Sequence, residues 1–181
     1  MNLFKTSLSR LSRGSAGTFR SFPATMLSAV LFVVVTAVRI ERGSDSPGLS
    51  YLLTCLQWAL AFGALFSLAI VTVVQTRFKK TGLFFAANLL GLAAAVLSFI
   101  LLYTYGGMEV EYTAELILSS QAAARMSAAC FVSVLAFIIA ASYPPQRSDF
   151  SRTFFMTQRA FFTALIYGLV IGGGSAAIAG A

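Results

Sequence analysis

The chain contains no histidine among its 181 residues. That removes the commonest general base and the commonest transition-metal ligand. Cysteine is scarce: Cys55 and Cys130 each sit inside an apolar stretch, far from any CxxC spacing. A disulfide framework and a zinc site are therefore not expected, and both thiols read as small hydrophobes. Acid is scarce too, with only six Asp and Glu, none of them inside an apolar run. An intramembrane acid–base pair has no residues to work with, and the chain reads as non-enzymatic with no cofactor and no metal site. The glycine run Gly172-Gly173-Gly174 lacks the Gly-Lys-Ser/Thr sequence of a phosphate loop.

What fills the chain instead is apolar length. It is 58% hydrophobic and 10% charged, with a mean hydropathy of +0.84, values that place it among integral membrane proteins. The net charge of +7 does not point to nucleic acid, because its basic residues lie in short groups between apolar segments, where lipid headgroups account for them. The lipid bilayer is the first partner implied.

Phe22 to Ile40, FPATMLSAVLFVVVTAVRI, is the first span. It is free of charge before Arg39, and about 20 mostly apolar residues suffice for a helix to cross a bilayer. Pro23 suits the first turn, where a backbone N–H is not needed. Before it, residues 1–21 are rich in Ser and Arg and hold no acid, with Leu3, Phe4, Leu8 and Leu11 at helical spacing. This composition predicts a basic arm on the cytoplasmic headgroups. An organelle transit peptide shares the bias, and would place the chain in an organelle membrane; the interfacial arm is the favoured reading.

Residues 22–181 read as one transmembrane helical domain. Further spans are expected at about 49–75, 83–105, 116–143 and 160–179. The fourth begins among small and polar residues, with Thr113 a candidate N-cap, and Pro144-Pro145 stops it. An amphipathic lead-in, QRSDFSRTFFMTQR, then runs into the fifth. All-α structure follows, since lone segments of this length cannot satisfy their backbone in lipid otherwise, and a β-barrel would need alternating strands. The fold class is a polytopic helical bundle of about five spans.

Charge sets the orientation. With the N-terminus inside, ten of the thirteen basic residues fall on the inner side: Lys5, Arg10, Arg13, Arg20, Arg77, Lys79, Lys80, Arg147, Arg152 and Arg159. Five of the six acids (Glu41, Asp45, Glu109, Glu111 and Glu115) fall outside. The positive-inside bias thus predicts N-in and C-out.

Three polar side chains lie within or beside spans: Gln57, Asn88 and Arg125. If they converged on one cavity, they would line a path for a transporter or channel component. As separate helix contacts, amides act as interhelical glue, and an arginine can snorkel to the headgroups. The outer glutamates lack EF-hand spacing and read as a solvated acidic face. Gly168 and Gly172 form GxxxG, and Gly91 with Ala95 a second small-residue pair, spacings that let helix backbones approach closely.

Three stretches carry a family resemblance: RSFPATMLSAVLFVVVTAVRIE, LAFGALFSLAI and SDFSRTFFMTQRAFFTALIYGLVIGGGSAAIAG. They resemble the bacterial multi-pass membrane proteins grouped as domain of unknown function 4153. There, a basic-flanked Phe-Pro opens the first span, and an aromatic-rich segment leads into a span with a small-residue end. Here Ser151-Arg152 stands where that family would have a tryptophan-containing stretch. Family members are longer, so the resemblance covers their N-terminal part and makes this chain a piece of such an architecture. It implies a bacterial inner membrane, brings no activity, and transfers no catalytic residue. Together these readings favour a non-enzymatic helical module that assembles with other membrane helices, with subunits or with its own copies.

The topology is checked by reporter fusions after Arg42, Lys80, Glu111 and Arg147. The expected readout alternates outside, inside, outside, inside, and one fusion on the wrong side breaks the assignment.

Overall fold

The computed structural model describes residues 17, 19–42, 47–78, 81–109 and 116–142. Beyond these it describes 154–156, 158–159, 162–163 and 166. Four long helices dominate: α1 (Pro23–Arg42), α2 (Pro47–Arg77), α3 (Thr81–Tyr105) and α4 (Ser120–Ser142). All four are long and apolar enough to cross a membrane. Between α3 and α4, two short strands, β1 (Gly107–Glu109) and β2 (Leu116–Leu118), pair antiparallel with Gly107 opposite Leu118.

The strands depart from the sequence reading, which gave 107–109 to a loop and 116–118 to the fourth helix. Ser119 explains the later helix start. Its Oγ accepts the Ala122 N–H at 3.2 Å, the bond of an N-cap, so α4 opens at Ser120. Thr113, the cap candidate from sequence, lies outside the described residues, as do the fifth span's Gly168 and Gly172. The chain divides into two compact units, residues 1–137 and 138–181. Of the second, residues 138–142 belong to α4, and Phe154 and Phe155 set their rings edge to face at 6.0 Å.

Packing in the first unit inverts the pattern of a water-soluble protein. On α3 the buried residues are Ala87, Asn88, Gly91, Ala95, Ser98 and Leu102. Its large side chains point outward, Leu89 being 71% exposed and Phe85 68%. α1 buries Ala24, Ser28 and Val35 and leaves Val33 and Val34 open. In water this would cost far more than it gains; in hydrocarbon, helices associate through small residues and interhelical hydrogen bonds. This is a membrane-embedded helical protein.

The closest approach runs down the antiparallel α2–α3 seam. A Cβ built on Gly63 would stand 2.5 Å from the Ala95 Cβ, and one on Gly91 would run into the Ser67 Cβ. Two small-xxx-small pairs therefore interlock, Gly63/Ser67 against Gly91/Ala95. Ser67 also meets α1, its Oγ lying 2.7 Å from Thr25 Oγ1, so one fully buried serine joins three helices.

Gly91→Ala is expected to destabilise the bundle by about 1–3 kcal/mol through overpacking against Ser67. Gly82→Ala, where a Cβ meets nothing within 4 Å, is expected to be neutral or mildly stabilising. Thermal unfolding of both variants in one detergent checks the contrast.

Candidate functional site

Polar contacts between helices stand out at three places in the bundle. The first is the start of α1. Residues 19–21 are helical, Phe22 is not, and Pro23 begins α1 without an N–H. The break leaves two backbone groups without helical partners. Asn88 Oδ1 on α3 accepts the buried Ala24 N–H at 3.2 Å, while its Nδ2 donates to Phe84 O at 2.8 Å. Gln75 Nε2 on α2 donates to Ser21 O at 2.9 Å. A neighbouring helix thus satisfies the buried N–H at the proline break, as a span requires, while the Ser21 bond lies exposed beside it. Phe22-Pro23 and Asn88, unconnected in the sequence, are two halves of one joint.

The second place lies toward the hairpin end, between α1 and α2. Arg39 Nη1 donates to Gln57 Oε1, and Gln57 Nε2 donates to Thr36 Oγ1 at 2.9 Å. Thr36 in turn donates to Phe32 O at 2.7 Å. Beside this chain of bonds is an open cleft of about 250 Å³ lined by Phe32, Gln57, Trp58 and Ala61. Arg39 counts in the sequence as an outer flank. Its role here follows from helix direction, which no run of residues displays by itself. A charge at membrane depth costs about 2.5–3.5 kcal/mol on insertion scales, so a bonded arginine there is a significant feature.

The third place is the end of α3. Tyr51 Oη donates to Leu102 O at 2.7 Å, a carbonyl that also accepts the Gly106 N–H at 2.8 Å, and approaches Tyr103 O at 3.3 Å. Around it Tyr51, Cys55 and Leu102 form a buried cluster with Trp58, Phe99, Leu118, Ala122 and Met126. Leu118 ties β2 into that cluster, which supports a two-stranded ribbon too small to stand alone. Both cysteines are free, Cys55 buried and Cys130 half-buried.

Gln57, Asn88 and Arg125 do not meet. The seam register puts Asn88 level with Ile70 on α2, about 20 Å along the axis from Gln57 at 1.5 Å per residue. A separate apolar cleft of about 430 Å³ touches Asn88, with Pro23, Ala24, Leu27, Phe85, Leu89 and Leu92. Arg125 lies exposed on α4 and lines neither cleft. Glu111 and Glu115, its candidate partners, lie outside the described residues. Among the described residues no group of three or more His, Cys, Asp or Glu is placed to hold a metal ion.

No family model, no curated protein and no solved structure matches this chain. The family resemblance rests on the three quoted stretches alone.

Asn88→Leu strands the Ala24 N–H and is expected to cost about 1–3 kcal/mol. Gln57→Leu removes the acceptor of Arg39 and is expected to cost a similar amount. At about 20 Å apart the two effects should add within about 0.5 kcal/mol. Unfolding of the single and double variants measures this, and strong coupling would restore a shared polar path.

Proposed function

We propose that this protein is a non-enzymatic helical module of a bacterial inner membrane, N-terminus inside, which assembles with further membrane helices, with partner subunits or with its own copies. One observation carries the reading. The amides within the spans, with Ser67 and Tyr51, join helices, and among the described residues no buried side-chain nitrogen or oxygen lacks a partner. Asn88 and Gln75 mend the Pro23 break, Gln57 holds Arg39, and Ser67 links three helices. Serine and threonine hydroxyls elsewhere bond to their own preceding turn, as Thr72 does to Leu68 O at 2.7 Å. Such an interior holds shape. A transporter or channel component is the second reading, favoured by the cleft beside Gln57 but weakened by the separation of Gln57, Asn88 and Arg125.

Assembly is supported by how open α1 and α4 stand among the described helices: 11% of the most apolar window of each is buried, against 39% for α2 and 33% for α3. The inner-membrane location rests on the charge distribution and on the family resemblance. Purification of the full chain in mild detergent, followed by mass measurement of the protein component, tests the proposal. A complex with a second subunit or a defined oligomer is expected; a clean monomer with nothing co-purifying overturns it.

A further inference from the structure

Arg39 is drawn into the bundle by helix geometry. A Cα–Cβ bond tilts toward its helix N-terminus, so Arg39, in the last turn of α1, leans back along the span. Gln57, on the antiparallel α2, leans the opposite way, and the two side chains meet. A guanidinium has five N–H donors, and the bond to Gln57 uses one of them. Among the described residues no carboxylate pairs with it.

Gln57 also lines the cleft shared with Phe32, Trp58 and Ala61. The surface of α1 flanking Phe32 is apolar and open, Val33 being 66% exposed and Leu31 42%. A ligand reaching this cleft therefore comes from the hydrocarbon side, along an apolar wall that ends at Gln57, the acceptor of Arg39. At about 250 Å³ it falls below the usual range of whole-ligand pockets, roughly 300–1,000 Å³, and suits a segment of one chain.

We propose that the cleft holds a phospholipid, with one acyl chain against Phe32, Trp58 and Ala61 and the phosphate on Arg39. Phosphate supplies the missing counter-charge through charge-assisted bonds, and Gln57, which lines the cleft, holds the guanidinium. The site thereby differs from the general lipid surface, where nothing holds a cation in place.

Trp58 is the chain's single tryptophan, so its fluorescence reads this cleft directly. The full chain in detergent is titrated with phosphatidylglycerol bearing brominated acyl chains, and separately with the equivalent brominated diacylglycerol. Saturable quenching by the phospholipid is expected, with about tenfold tighter half-saturation than for diacylglycerol. Arg39→Gln is expected to erase that preference and Arg39→Lys to keep most of it. Equal, non-saturating quenching by both lipids overturns the proposal, as does a preference that survives Arg39→Gln. Displacement of the brominated phospholipid by inorganic phosphate would make the free ion the ligand and also overturns it. If Arg39→Gln fails to fold, the comparison of the two lipids on the wild-type chain decides alone.

Discussion

Hydrocarbon offers no hydrogen bonds, so every backbone N–H and C=O within it needs a partner from the protein. The joint at Phe22-Pro23 shows how much follows from that requirement. Proline gives α1 a fixed start but interrupts the helical turn before it. The buried Ala24 N–H then needs an outside partner, which Asn88 provides from α3, and Gln75 on α2 donates to the exposed Ser21 C=O beside it. One break in α1 thus ties α1 to both α2 and α3. At the other end Tyr51 ties α2 to α3, its hydroxyl adding a second bond to a Leu102 carbonyl already paired with the Gly106 N–H.

Close approach of the helices is a second consequence. An amide can serve a neighbour's backbone only if the helices stand near each other, and in lipid small residues allow this where apolar burial would not. Gly63, Ser67, Gly91 and Ala95 provide that closeness at mid-seam. Ser67 shows the economy: it is small enough to face Gly91 and polar enough to bond Thr25. The large aliphatics are freed to face lipid, which is why Leu89 and Val33 are exposed.

Much of this architecture is legible in the sequence, for a physical reason. Span length and composition are set by bilayer thickness and hydrocarbon solvation, and both act on contiguous residues. α1, α2 and α3 therefore lie within two residues at each end of the stretches expected from hydropathy. Register between helices is not local. Gly91 and Ala95 stand out by their spacing, but nothing in the chain names Gly63 and Ser67 as their counterparts. Asn88 reads as an interhelical amide without revealing that its partner is a backbone N–H 64 residues earlier. The strands at 107–109 and 116–118 were hidden because three-residue pairings leave almost no periodic signal.

Arg39 makes the same point for charge. By sequence it belongs with Arg42 as an outer flank, and both stand in the last turn of α1. Three residues rotate a helix by roughly 300° at 3.6 residues per turn, so the two are neighbours that still face differently. Arg42 is exposed, whereas Arg39 is half-buried and faces α2, where Gln57 leans toward it. Thr36, one turn before Arg39, holds the other end of the same amide. Gln57 is thus fixed at both of its polar atoms by one face of α1, and its orientation is not free to follow solvent. An arginine that could snorkel outward is instead anchored inward on Gln57, which lines a cleft with Phe32 and Trp58. Stability alone does not require a cation there, since a leucine pair would fill the contact without bringing a charge into lipid. The anchored charge joins α1 to α2 through an amide that also lines an apolar groove, and its positive charge is more than that contact needs.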